Sequence, residues 1–165
     1  MIKLVASLGA NIIGVNKNGG MVEGCSKVVT AEKIDSVLPE ADILYLALPE
    51  TSETKNLINR KRLSLLKSSC GVVNIGRQSA MDYEALCEKL NNKELSGAIL
   101  DVFTHEPIED SSKLWNIPNL VITPHVSSDD HGSYVRMTLD LFVNNLKLFI
   151  SNKELVNQID KDLGY

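Results

Sequence analysis

Three short segments carry side chains able to grip and activate a small oxygenated substrate. In Val72-Val73-Asn74-Ile75-Gly76-Arg77 an apolar run ends in a glycine and then an arginine. A planar guanidinium at a strand tip can hold a carboxylate through two parallel hydrogen bonds. In Leu100-Asp101-Val102-Phe103-Thr104-His105-Glu106-Pro107 an apolar run ends in an aspartate, and a glutamate follows beside a proline. In Val121-Ile122-Thr123-Pro124-His125 a histidine stands at the mouth of a third apolar run. Singly, each has a plain explanation: a solvated turn arginine, acidic loop residues, a surface or core histidine. Gathered in one crevice they would act together. A carboxylate beside an imidazole favours its charged form and suits it to proton transfer near neutral pH.

The elements that would gather them are legible as alternation. Short apolar runs predict strands over Ile12–Asn16, Ile43–Leu48, Val72–Ile75, Ala98–Val102 and Leu120–Thr123, with a weaker one at Lys27–Val29. Between them lie amphipathic stretches, the pattern of a parallel sheet with crossover helices. The runs are nearly continuous in apolar residues, which predicts strands covered on both faces. Thr30 is placed to cap a helix burying Ile34, Val37 and Leu38, closed by Pro39. Asn59 is placed to cap Arg60–Lys67, and Asp82 to open a helix holding Ala85, Leu86 and Leu90. The longest helix is expected from near Ser128 to Ser151, with Asp129 and Asp130 at its positive end. Val135, Leu139, Phe142, Val143, Leu146, Phe149 and Ile150 form its apolar stripe. Leu155, Val156 and Ile159 suggest a packed tail. Each chemical segment closes a strand, and in open α/β sheets ligands sit outside the carboxyl ends of strands.

Composition narrows the classes. The chain has 165 residues, 44% hydrophobic and 23% charged, which is one ordinary folded domain. A net charge of −4 without long Lys or Arg runs argues against nucleic acid. No apolar stretch is long enough to cross a bilayer. The opening Met1–Ala10 has a lysine before small apolar residues, as a signal peptide does, but its apolar run is short and broken and reads as a helix. Cys25, Cys70 and Cys87 lack metal or disulfide spacing and read as buried free thiols of a cytoplasmic protein. His105 and His131 read as surface residues, and no metal site is expected.

The segments Asn74–Arg77, Leu100–Phe103 with Glu106-Pro107, and Thr123–His125 stand in the order and spacing of the D-isomer-specific 2-hydroxyacid dehydrogenases. The ending resembles that family too, in Asn144-Asn145-Leu146, Leu155-Val156-Asn157, Asp160 and Gly164-Tyr165. The resemblance implies that His125 is the acid/base at the keto oxygen, that Glu106 pairs with it, and that Arg77 binds the substrate carboxylate. It places Asp101 near the nicotinamide carboxamide, and Asn16, Lys17, Leu48, Pro49, Ile75 and Gly76 along the cofactor. Residues 1–151 would then be a partial dinucleotide-binding domain, and residues 152–165 a tail that returns towards a substrate domain.

The sequence departs from the family at its start. No G-x-G-x-x-G occurs, and Gly19 and Gly20 lie too late to replace it. Met1–Leu8 resembles the later part of the helix that should follow that loop. The expected fold is therefore an incomplete doubly wound, Rossmann-type parallel sheet lacking its first strand, with no substrate domain. That strand is normally central, so Ile12–Asn16 and Ile43–Leu48 would each lose a neighbour. Exposed edges predict self-association (a homodimer, as the family usually forms), altered pairing, or membership of a longer protein. Asn16 and Lys17 stand where NAD-binding relatives carry an aspartate, which tilts the cofactor from NAD towards NADP. A solvated Lys17 is the competing reading. Two functions remain: an NAD(P)-dependent oxidoreductase acting on a small 2-keto or 2-hydroxy acid, or a non-catalytic dinucleotide-fold module serving dimerisation or regulation. Without the glycine loop, cofactor binding and activity by the chain alone are not expected.

Overall fold

The computed structural model describes residues 1–128, 130 and 132–161. The expectations placed on Asp129, His131 and Gly164-Tyr165 fall outside them. Among the described residues six parallel strands form two sheets. Strands β1 (Ile13–Asn16) and β2 (Lys27–Thr30) pair with each other alone. Strands β3 (Ile43–Leu46), β4 (Gly71–Asn74), β5 (Gly97–Leu100) and β6 (Leu120–Ile122) follow in spatial order. Their register aligns Leu46 with Asn74, Asn74 with Leu100, and Leu100 with Ile122. The ends of β4, β5 and β6 therefore lie side by side, and each delivers one of the three chemical segments.

Among the described residues β1 and β3 do not pair, so each keeps one open edge. A gap in the middle of the sheet is what the expected fold requires.

The core lies on one side of the four-stranded sheet. Leu46, Val72, Asn74, Ala98 and Leu100 point into it. Against them pack α2 (Arg60–Leu63), α3 (Tyr83–Asn91) and the short 3-10 turns around Ile34 and Leu38. The opposite face is uncovered: Ile43, Ile99 and Val121 are 68%, 42% and 54% exposed. This corrects the expectation of coverage on both faces. Helices α1 (Ile2–Ser7) and α4 (Tyr134–Ile150) bury none of their residues, so neither supplies the second layer. The α4 stripe is real as a pattern, yet Phe142, Phe149 and Ile150 stand in solvent.

Local hydrogen bonds explain where helices start and stop. Asn59 accepts the Arg62 amide at 3.1 Å and Asp82 accepts that of Ala85 at 2.9 Å, so both expected caps form. Helix α2 stops at Leu63 and does not reach Lys67: past Ser64 the amides of Leu65 and Leu66 bond three residues back, to the Arg62 and Leu63 carbonyls, as tight turns. After Thr30 the chain winds as 3-10 turns and not as an α-helix, and Thr30 makes no side-chain cap bond. There the Ser36 hydroxyl donates to the Lys33 carbonyl and Pro39 has no amide to donate. Helix α4 begins at Tyr134, later than expected, since Asp130 binds the Gly132 amide and the Ser133 hydroxyl. The tail is tied to α4 by Asn145, whose amide bridges both backbone groups of Val156. Only Cys70 is buried; Cys25 and Cys87 are half-buried, and all three are free.

Candidate active site

The β5 end organises the site. Beyond Leu100 the chain places Asp101 in the interior at 1% exposure, while Glu106 comes back to the surface. Glu106 makes two contacts, one per oxygen. Its Oε1 accepts the Phe103 amide at 2.7 Å, and its Oε2 meets His125 Nδ1 at 2.8 Å. The His125 contact and the Phe103 amide hold the Glu106 carboxyl below the ordinary range. The two side chains remain partly open to solvent, as groups that exchange protons with a substrate must be.

His125 itself has φ of +56°, in the left-handed region. Histidine visits that region at a cost of about 1–2 kcal/mol, so its surroundings must over-determine the turn. They do. The His125 amide donates to the Thr123 carbonyl at 3.0 Å across Pro124. Asp101 accepts the Thr123 hydroxyl and the Val126 amide on Oδ1, and the Ser127 amide on Oδ2. Charge-assisted bonds of this kind are worth about 1.5–3 kcal/mol each, enough to outweigh the turn's strain. Burial alone would raise the Asp101 carboxyl, but the donors of Thr123, Val126 and Ser127 bring it down to about 2.

Arg77 caps β4. Gly76 before it is buried, and an added Cβ would lie 2.5 Å from the Leu48 nitrogen, so only glycine fits where the β4 and β3 ends cross. The Arg77 guanidinium is exposed and donates to the Gly76 carbonyl at 2.8 Å. Among the described residues no hydrogen bond or ion pair joins it to Glu106 or His125. The structure thus couples Glu106 with His125 and leaves Arg77 beside them on the adjacent strand end.

A buried network links the two ends, and the sequence reading missed it. Asn74, fully buried, donates to the Arg77 carbonyl and to Tyr83 Oη, and accepts the Gly76 amide. Tyr83 in turn donates to the Val102 carbonyl at 3.0 Å. Burial pushes the Tyr83 hydroxyl well above its ordinary pKa, so it stays a donor. The available signal was an asparagine in an otherwise apolar strand, since buried amides are there to be hydrogen-bonded.

The remaining positions line the other strand ends. Leu48 and Pro49 follow β3, half-buried and exposed, with Ile75 half-buried beside Gly76. At the end of β1, Asn16 Nδ2 donates to the Gly20 carbonyl at 2.8 Å, whereas its Oδ1 is buried without a partner. Lys17 forms an ion pair with Glu53 at 3.0 Å, so it is not simply solvated. His105 is exposed. Among the described residues no group of His, Cys, Asp or Glu is arranged to hold a metal, and no helix is long and apolar enough to cross a membrane.

Comparison with known proteins supplies the setting for this geometry. Residues 1–127 match the family model described as D-isomer specific 2-hydroxyacid dehydrogenase, NAD binding domain. A protein of Corynebacterium melassecola without assigned function is 33% identical over the whole chain, which covers 54% of that relative. Glyoxylate/hydroxypyruvate reductase B of Pectobacterium carotovorum is 43% identical over 127 residues, which are 77% of this chain and 39% of the relative. Among solved structures, an NADPH-dependent glyoxylate/hydroxypyruvate reductase from Sinorhizobium meliloti, in complex with NADP and sulfate, is similar with a TM-score of 0.90. It is 29% identical, and the match covers 99% of this chain and 52% of that one. The chain thus spans about half the length of the relatives it matches.

Proposed function

Because this chain belongs to the D-isomer specific 2-hydroxyacid dehydrogenase family through its NAD-binding domain, we propose that it serves an NAD(P)-dependent oxidoreductase interconverting a 2-keto acid and a D-2-hydroxy acid. The observation carrying this reading is the His125–Glu106 pair at 2.8 Å, standing at the carboxyl ends of parallel strands. His125 would give its proton to the keto oxygen in reduction and take it back in oxidation. Glu106 holds the ring by Nδ1 and so fixes its orientation. Arg77 would bind the substrate carboxylate from the neighbouring strand end and polarise the carbonyl.

A nicotinamide cofactor supplies or receives the hydride in this chemistry. The residues present suit one. Asn16 Oδ1 is a buried acceptor in want of a donor, which a ribose hydroxyl would provide. Lys17 adds a cation beside it, and the lack of a carboxylate at Asn16 favours a 2′-phosphate, hence NADP over NAD. Leu48, Pro49, Ile75 and Gly76 would form the cofactor's wall, with Asp101 beneath the nicotinamide end. Residues 1–151 would make up this partial domain and residues 152–165 the tail. The exposed α4 stripe and the open edges of β1 and β3 support self-association, or burial within a longer polypeptide in the cytoplasm.

Fluorescence titration of the purified chain with NADH and NADPH tests the reading. Saturable binding would mean that β1 and β3 wall a nucleotide crevice without the glycine loop, and tighter binding of NADPH would support the Asn16–Lys17 reading. No binding of either at millimolar concentration would reject cofactor binding by this chain and favour the second reading, a non-catalytic module.

A further inference from the structure

We infer that Asp101 is a positioning residue for His125: its carboxylate clamps the loop on both sides of the histidine and holds the ring against Glu106. The inference rests on the acid/base reading of His125 and extends it to a residue that touches neither the ring nor Glu106 by hydrogen bond. The resemblance gave Asp101 a place near the nicotinamide carboxamide. Here the residue is 1% exposed, and its oxygens already serve the loop.

The argument is one of connectivity. Donors from Thr123 lie before His125 in the chain, and donors from Val126 and Ser127 lie after it. All converge on one carboxylate anchored at the end of β5, the best-buried strand end in the site. Two residues further along the same strand exit, the Phe103 amide holds Glu106 Oε1. A single strand end therefore sets both partners of the proton-transfer pair, Glu106 by backbone and His125 by side chain. His125 adopts a left-handed backbone that the loop does not favour unaided. Without the clamp the loop keeps the Thr123–Leu100 and His125–Thr123 backbone bonds and the Glu106 contact, none of which reaches Val126 or Ser127 on the far side of the turn.

The test reads the loop in the cofactor-free chain, so it is independent of turnover and of cofactor binding. Nuclear magnetic resonance of the full chain with Asp101→Asn would follow amide hydrogen exchange at Val126 and Ser127 and the low-field Nδ1 proton of His125. An amide side chain cannot accept on both ends, so exchange at these two residues should rise by about tenfold or more. The low-field proton, a signature of the His125–Glu106 bond that core stability alone does not govern, should vanish. Exchange within about twofold of the parent, with the proton retained, would overturn the inference. If Asp101→Asn does not fold, Thr123→Val keeps the carboxylate and removes one donor. A rise of about threefold is then expected at Val126, which shares Oδ1, and no rise would overturn the inference equally. Failure of cofactor titration with these outcomes intact would count against cofactor binding by this chain and leave the clamp standing.

Discussion

Glu106 and Asp101 place charge where acid would undo it. Both carboxyls are held low in the folded chain, Glu106 by His125 and the Phe103 amide, Asp101 down to about 2 by its loop donors. A carboxyl whose pKa is lower folded than unfolded stabilises the fold above its unfolded pKa. That contribution is lost as pH falls through the folded value. For Asp101 the window runs from about 4 down to about 2, and for Glu106 it lies below about 4.3. The Glu106–His125 pair is partly exposed, so its share is about 0–1 kcal/mol, and the buried Asp101 dominates. Melting temperature should therefore fall steeply as pH drops through this window, and Glu106→Gln should flatten the curve slightly. A parent curve that is level from pH about 4.5 to about 2 would contradict the assignment.

At the scale of elements, Tyr83 is the tie between strand ends. Its hydroxyl receives from Asn74 beneath Arg77 and gives to the Val102 carbonyl beside Asp101. Tyr83→Phe keeps the ring, its edge contact with Phe103 and the start of α3, and removes only those bonds. A buried carbonyl left unmatched costs about 1–3 kcal/mol, so calorimetry should show a loss of several degrees in Tm. An unchanged Tm would mean that solvent already satisfies these groups. This tie also marks the limit of legibility. All six strands and the Asn59 and Asp82 caps were readable, because runs of apolar residues and capping side chains act locally. The Asn74–Tyr83–Val102 chain was not, since it depends on which loops meet across the sheet. The start of α4 lies later than expected because the Asp130 side chain takes the Gly132 amide and the Ser133 hydroxyl in a turn ahead of it. Arg77, Glu106 and His125 were legible as candidate residues, but only the structure separates the paired Glu106 and His125 from Arg77 on the neighbouring strand end.

At the scale of the whole molecule, apolar surface and unpaired backbone are left together. Helix α4 carries Leu139, Phe142, Leu146, Phe149 and Ile150, from 44% to 72% exposed, and buries none of them. The outer sheet face shows Ile43, Ile99 and Val121, and β1 and β3 each keep an edge. Strand sequences alone could not reveal this, because an apolar residue reads the same whether or not a partner layer is present. Exposed apolar faces of this kind mark contact surfaces, and open edges template further pairing. In relatives about twice as long, other residues are available to meet such surfaces. For the chain by itself the remaining source is another copy. Sedimentation velocity should accordingly show concentration-dependent dimers or larger species. Replacing Phe142 and Phe149 together by Glu should shift the population towards monomer and remove the dependence of Tm on protein concentration that self-association confers. A parent that stays monomeric across the micromolar range would show that the stripe is tolerated in water. A double variant that associates as the parent does would show instead that α4 is not the contact.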